Sequence, residues 1–366
     1  MTLNKKVLIG LSGGVDSAVS AYLLKQQGYD VYAVYLTCWK EPGCRADLDR
    51  ADAMKVALEL NLPFQVLDFR KEYKERVMDY FYREYKEGRT PNPDVLCNSV
   101  IKFGLFYDWA LKEGYSLIAT GHYARIARSE NAEVLVTPED LGKDQTYFIY
   151  RIKKSQLPHL LFPLGDLLKS EVRSIARQQK LVVAEKDDSM GICFVGDVNV
   201  REMLRQKYGT HKGEVQLSGS TVVGEHDGYW FFTIGLRGGW RRKEKLSTGR
   251  FKNDELPKLY VVDIKKDENV VVVGEREEAM KTEFEISNVH WIEKVDDGDT
   301  QVFVKIRNTG DFLPARLSKT TGGYCVRLEK PEFGISPGQS CVLYKKRDVQ
   351  TETPSYIVLG GGVIQA

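Results

Sequence analysis

Three short segments of this 366-residue chain carry side chains that could do chemistry. The first is Gly10-Leu11-Ser12-Gly13-Gly14-Val15-Asp16-Ser17, which follows an apolar run and opens a helical pattern. Glycines let the main chain approach an anion closely, and a helix start offers it unpaired N–H groups. The segment lacks the lysine of G-x-x-x-x-G-K-[ST] and is not G-x-G-x-x-G, so neither the Walker nor the dinucleotide fingerprint applies. A tight strand–helix turn capped by Asp16 is the plainer alternative. The second segment is Arg89-Thr90-Pro91-Asn92-Pro93-Asp94-Val95-Leu96-Cys97-Asn98, a loop stiffened by two prolines and entering an amphipathic helix. With Asp94 near the N-cap, Cys97 falls in the first turn, where N–H groups and the helix dipole favour a thiolate. Asp94 is then placed to shuttle a proton. A buried structural cysteine beside a capping Asp is the competing reading. The third segment, Ser189 to Gly196, sets Cys193 between glycines after the run Glu185-Lys186-Asp187-Asp188. Such flanks suit a loop whose tip swings into a site, or equally a core cysteine in the apolar run Ile192 to Val195.

The other cysteines ask for less. Cys325 and Cys341 lie in apolar β-type runs and read as core packing. Cys38 and Cys44 flank Trp39 and Pro42 in a loop, with no third or fourth metal ligand near them in the sequence. Six cysteines without a C-x-x-C support neither a disulfide framework nor a zinc ribbon.

These segments need elements to position them. Strand patterns at 7–10, 31–37, 64–69 and 116–120 alternate with helical patterns at 16–27, around 53–60, at 71–86 and near 99–112. That alternation predicts an α/β domain, a parallel sheet covered by helices, over residues 1–204. Ligands in such sheets sit beyond the carboxyl ends of the strands, where the loops at 11–17, 37–44 and 120–125 should converge. After about residue 205 short β-rich runs separated by turn clusters predict a small β-rich central domain (205–277) and a C-terminal β-barrel (278–366).

Composition narrows the class. Lys+Arg 53 against Asp+Glu 51 gives a net charge of +2, and no apolar run approaches the ~20 residues of a bilayer span, so a cytoplasmic chain without a membrane partner is expected. The near-neutral total hides local patches. Residues 237–250 carry Arg237, Arg241, Arg242, Lys243, Lys245 and Arg250 against the single acid Glu244. A patch of this kind fits a polyanion docked at a defined place, or a solvated basic face.

The octapeptide around SGGVDS resembles the signature of the PP-loop ATP pyrophosphatases. That resemblance implies ATP cleaved between its α and β phosphates, with AMP passed to an acceptor. TPNPDVLCN, ATGHYAR (119–125), GKDQTYF (142–148), GICFVG (191–196), SPGQSCVLY and LGGGVI follow in order, and with them the whole chain resembles the bacterial tRNA-specific 2-thiouridylases. The resemblance implies Cys97 as catalytic nucleophile, Cys193 as carrier of a persulfide sulfur and Asp94 as acid/base. It implies ATP, with Mg²⁺, at Gly10, Leu11, Ser12, Gly13, Gly14, Val15, Asp16, Ser17, Leu36 and Gly121. It implies tRNA contacts at Asn92, Pro93, Asp94, His122, Lys143, Asp144, Gln145, Arg307, Asn308 and Gln339. The substrate implied is the wobble uridine on the anticodon arm of Lys, Glu and Gln tRNAs, thiolated at C2 with sulfur from a donor such as a cysteine desulfurase or relay protein. Three segments depart from the family pattern: FTIGLRGGWRRKEK has leucine where glutamine is usual, Asn308 replaces an aromatic residue, and Met190 replaces a threonine. A PP-loop synthetase for a small molecule and a non-catalytic tRNA-binding protein are the alternatives, and neither would need two reactive cysteines.

Overall fold

The structure, a computed structural model, describes residues 5–40, 45–128, 132–188, 191–196, 199–243, 257–295, 298–348 and 353–365. Pro42, Cys44, Ser189, Met190, Glu244, Lys245 and Arg250 lie outside the described residues.

The first part of the chain forms β1 (Lys6–Gly10), β2 (Asp30–Thr37), β3 (Phe64–Asp68), β4 (Leu117–Ala119), the hairpin β5 (Arg125–Arg128) and β6 (Glu133–Val136), and β7 (Leu160–Leu161). Five of these make an all-parallel sheet in the order β3-β2-β1-β4-β7. Its central strand is apolar on both faces, as a doubly covered strand must be. Val7 and Ile9 point into one core with helices Val15–Gln26, Ala46–Glu59 and Lys169–Gln178, while Leu8 points into the other. That second core holds the helical segments Arg70–Tyr73, Lys74–Met78 and Asp79–Lys86, and the helix that begins at Pro93. The chain order reverses between β1 and β4, so the loops after these strands flank a crevice. A Cβ on Gly121 would lie 2.8 Å from the Ser17 amide, which shows how closely the two loops meet.

The predicted helix near 99–112 starts earlier. It runs as Pro93–Cys97, Asn98–Phe106 and Tyr107–Lys112 without a break, and the middle stretch has π-helical, i→i+5 bonding. Stretches of that kind are uncommon and recur at functional sites.

Beyond the α/β sheet, β8 (Gly213–Leu217), β9 (Val222–His226), β10 (Arg241–Arg242), β11 (Tyr260–Lys265) and β12 (Val270–Gly274) form a sheet in the order β10-β9-β8-β12-β11. The last six strands are β13 (Met280–Trp291), β14 (Thr300–Lys305), β15 (Leu313–Lys319), β16 (Tyr324–Phe333), β17 (Ser340–Lys346) and β18 (Tyr356–Ile364). They close into a barrel because β18 pairs with both β17 and β13. The Gly360-Gly361-Gly362 run allows that closure: a Cβ on Gly360 would lie 2.1 Å from the His290 carbonyl oxygen, and its φ is +146°.

Sequence patterning did not reveal that the β5–β6 hairpin leaves the α/β sheet and joins the barrel sheet, with Val136 paired to Ile357. Beside it the Tyr147 hydroxyl donates to the Ser340 carbonyl at 2.9 Å. Asp144 and Lys305, both buried, pair at 3.2 Å, with Thr146 donating to the same carboxylate and the Lys305 ammonium over the Phe312 ring. Removing one partner of a buried pair strands the other. Lys305→Met should therefore cost about 3–5 kcal/mol in denaturant unfolding, and adding Asp144→Asn should return part of that loss. A single variant as stable as the parent would show that the pair does not hold the joint.

Candidate active site

The glycine loop leaves β1 and enters helix Val15–Gln26, whose N-cap residue, Gly14, offers no side-chain cap. The first amides of that helix are thus available to an anion, and the twelve-residue helix adds its dipole. Inside the loop the Ser12 amide donates to Ser17 Oγ at 3.1 Å and Ser17 Oγ donates to the Gly14 carbonyl at 3.1 Å. Gly13 has φ +76°, and a Cβ there would lie 2.2 Å from the Asp49 carbonyl oxygen, so the loop's path requires glycine. Two lysines that were not singled out in the sequence reach this loop from later segments. Lys186 Nζ donates to the Gly13 carbonyl at 2.9 Å and pairs with Asp49 and Asp52. Lys169 Nζ meets Asp16 at 2.6 Å, beside the Tyr123 hydroxyl at 3.0 Å, and also meets Asp188 at 2.8 Å. Asp188 further binds Lys143 and Arg173, and its carboxyl lies well below the usual range because Lys169 and Lys143 outweigh its burial. Leu36, at the end of β2, is buried in the core below. An uncapped helix start flanked by lysines fits a polyphosphate.

The second half of the site is built on the helix from Pro93. Its N-cap is Asn92, whose side chain accepts from the Val95 amide at 3.3 Å, and Pro93 occupies the first turn. Asp94 follows two residues after the cap, in the first turn, as expected. Its Oδ1 accepts the Cys193 amide at 2.7 Å. The Tyr73 hydroxyl donates to the Cys193 carbonyl at 2.6 Å. Cys193 therefore sits at the tip of a small turn, closed by the Gly196 amide on the Ile192 carbonyl at 2.8 Å, with both main-chain polar groups anchored. Gly191, Phe194 and Gly196 all take positive φ, at +91°, +64° and +85°, to make that turn.

The two sulfurs face each other as free thiols, and the Cys97 side chain hydrogen-bonds that of Cys193. Here the expected electrostatics reverse. Cys97 is fully buried, and burial together with the neighbouring Cys193 pushes its thiol up, overriding any help from the helix start. Cys193 is the thiol that is lowered, by the hydrogen bond from Cys97 and by Lys102, against its own burial. Asp94 is raised by burial and so holds a proton more readily than an ordinary carboxyl. Lys102 was missed in the sequence, since a lysine inside an amphipathic helix reads as solvated surface. Only the fold shows that it faces the sulfurs.

The expected RNA-contact positions are scattered in role. His122 is buried between Phe103 and Phe162, with Nδ1 2.8 Å from Thr120 Oγ1, and burial holds it neutral. Asp144 is the buried partner of Lys305, so neither residue offers its side chain to the surface. Gln145 accepts the Tyr123 amide at 2.9 Å. Gln339 donates to the carbonyls of Thr90 and Pro91 at 3.1 and 3.0 Å, binding the barrel to the Pro-rich loop ahead of Cys97. Arg307 binds Glu332 and the Phe333 carbonyl, and Lys143 binds Asp188. In the central domain Arg241 pairs with Asp227, while Arg237, Trp240 and Arg242 line a cavity of about 440 Å³.

A parallel α/β sheet with an anion-receiving glycine loop, joined to a dithiol, defines an ATP-dependent PP-loop enzyme. Family models match three consecutive stretches: "tRNA methyl transferase HUP domain" over residues 5–197, "tRNA methyl transferase PRC-barrel domain" over 201–275 and "Aminomethyltransferase beta-barrel domain" over 281–364. The chain is 41% identical to the tRNA-specific 2-thiouridylase MnmA of Nitrosomonas europaea, covering 99% of each chain. It is 39% identical to the protein of the same name from Pediococcus pentosaceus, covering 100% of this chain and 97% of that one. The chain belongs to the tRNA-specific 2-thiouridylase family. Among solved structures, the U34-tRNA thiolase NcsA of Methanococcus maripaludis aligns with a TM-score of 0.36 and 22% identity, over 56% of this chain and 67% of that one.

The site's electrostatics predict an order of reaction. Iodoacetamide at neutral pH should label Cys193 before Cys97, with a half-maximal rate at a pH below the ~8.5 of an ordinary thiol. Peptide mapping that found Cys97 modified first would reverse the assignment of the ionised sulfur.

Proposed function

We propose that this chain catalyses ATP-dependent 2-thiolation of the wobble uridine of tRNA, acting on the Lys, Glu and Gln acceptors. The observation that supports this reading best is the meeting of Cys97 and Cys193, far apart in sequence, beside the Asp94 carboxyl and in the same α/β domain as the glycine loop.

The C2 oxygen of uridine is a poor leaving group. Its attack on the α-phosphate of ATP, held on Gly10 to Ser17 with Leu36 and Gly121 alongside, forms an O-adenylated uridine and releases pyrophosphate and the N3 proton. Mg²⁺ on the triphosphate neutralises charge in that step. The terminal sulfur of a persulfide on Cys193 then attacks C2, forming an S–C bond as the C–O bond to AMP breaks. Cys97 attacks Sγ of Cys193, giving a Cys97–Cys193 disulfide and leaving 2-thiouridine. The Cys97 proton passes by way of Asp94 to the product. An external thiol reduces the disulfide, and a donor enzyme or relay protein reloads Cys193. The alternative order, in which Cys97 first frees sulfide from Cys193, gives the same products.

In this reading residues 1–204 carry out the chemistry, and 205–277 with 278–366 grip the anticodon arm. The base must leave its stack to reach the thiols, and contacts from Asn92, Pro93, His122, Lys143, Gln145, Arg307, Asn308 and Gln339 would steady it. His122 and Gln339, engaged internally in the resting protein, would act from the pocket wall.

With tRNA transcript, ATP, Mg²⁺ and a persulfide donor (a cysteine desulfurase with free cysteine), Cys97→Ser and Cys193→Ser should each lower 2-thiouridine formation by about 10²-fold or more, while pyrophosphate is still released in the first turnover. Nucleoside mass spectrometry reads the product. Undiminished thiolation by both variants would overturn the dithiol mechanism and favour a PP-loop ligase without thiol chemistry.

A further inference from the structure

We propose that Lys102 is the positioning residue of the sulfur transfer: its ammonium holds the anionic sulfur on Cys193 in line with Cys97. The inference rests on reading Cys193 as the sulfur carrier.

The helix places Lys102 there by an unusual route. Five residues after Cys97, an α-helical side chain would point about 140° away around the axis. The stretch Asn98–Phe106 has i→i+5 bonding instead, a wider spiral that swings Lys102 back toward the face of Cys97. Its Nζ lies 5.5 Å from the Phe194 ring centroid, next to Cys193 in the turn, and its side chain hydrogen-bonds the Cys193 sulfur. Asp94 and Cys97, on the same helix, complete the surround.

Charge bookkeeping among the groups facing Cys193 singles out this lysine. Cys97, Cys38 and Tyr73 are each raised, burial being the largest cause, so these three favour their neutral forms, and burial raises Asp94 in the same direction. His122, which feels Lys102, is held neutral. Burial alone would strip Lys102 of its proton. Chiefly the Cys193 sulfur, by its charge and its hydrogen bond, overcomes that and holds the proton on Lys102. Lys102 and the Cys193 sulfur are the hydrogen-bonded pair of opposite charges here, and removing either side leaves the other uncompensated. A persulfide carries its charge on the terminal sulfur, so the same ammonium suits the loaded state. Once Cys97 and Cys193 have become a disulfide, that attraction falls on Asp94 and favours release of its proton.

The test is the pH dependence of Cys193 alkylation in the resting full-length protein, followed by peptide mapping. Lys102→Met should move the midpoint upward by more than ~1 pH unit, cutting the rate at neutral pH about tenfold, while Lys102→Arg should keep it within about half a unit of the parent. Thiolation should fall with Met and be restored substantially with Arg. If the Met variant does not fold, Lys102→Gln and the thiolate absorbance of the dithiol against pH read the same shift. An unmoved midpoint in a folded Met or Gln variant, even with thiolation lost, would overturn the proposal and leave Lys102 a packing residue. Since alkylation needs neither tRNA nor ATP, failure of the thiolation scheme and failure of this inference are separate results.

Discussion

A sulfur anion inside a protein is tolerable only if something replaces the water it has lost, and this requirement organises the catalytic half of the chain. The Cys193 sulfur takes a hydrogen bond from one neighbour and faces the ammonium of another, Cys97 and Lys102, both carried by the helix that starts at Pro93. The same helix supplies Asp94, which grips the Cys193 amide, and Tyr73 from the preceding helix grips its carbonyl. The turn cannot drift without breaking one of these bonds, so holding the charge and holding the loop are one task. A longer-range consequence follows at the helix start. Gln339 and the Pro337 carbonyl, in the turn before β17, bond to the main chain of Thr90 and Pro91. The barrel is therefore part of the scaffold that sets where Cys97 stands.

That arrangement explains why the domains are interleaved rather than strung along the chain. The β5–β6 hairpin extends the barrel sheet, the Asp144–Lys305 pair is sealed at the joint, and Tyr147 reaches the Ser340 carbonyl. A buried ion pair is a poor source of net stability but punishes misregistration, because shifting either partner leaves a bare charge. The joint thus specifies one relative placement of barrel and α/β domain, and the Pro-rich loop lies against it.

How much of this the sequence discloses depends on whether the cause is local. The strands of the parallel sheet, the glycine loop and the two cysteine segments were legible, since apolar periodicity and glycine-rich turns are written in neighbouring residues. The identity of the ionised thiol was not. A helix start next to Cys97 argued for a thiolate there, and complete burial reversed it, because desolvation over a whole side chain outweighs a partial dipole. Lys102 was invisible for the same reason: only the π-helical spiral and the packed turn of Cys193 aim it inward. His122, Asp144 and Gln339 show a further limit. Their motifs marked the positions as important, yet a motif does not say whether a polar side chain faces a ligand or braces the wall behind it.

The nucleotide half obeys the opposite rule. There the side chains are partly exposed, and the structure arranges a network of shared ion pairs rather than a single matched pair. Lys169 bridges Asp16 in the glycine loop to Asp188, and Asp188 also holds Lys143 and Arg173. Lys186 with Asp49 and Asp52 extends this network on the other side of the loop, at the mouth of an uncapped helix. Water screens such contacts, so each is individually weak and can be exchanged for phosphate oxygens at little cost. Asp188 stands five residues ahead of Cys193 on the same segment, and Lys186, two residues earlier, touches the Gly13 carbonyl directly. The exchangeable charges of the nucleotide site and the locked charge of the sulfur site are therefore neighbours on one stretch of chain, the first suited to a ligand that comes and goes, the second to an anion that must not move.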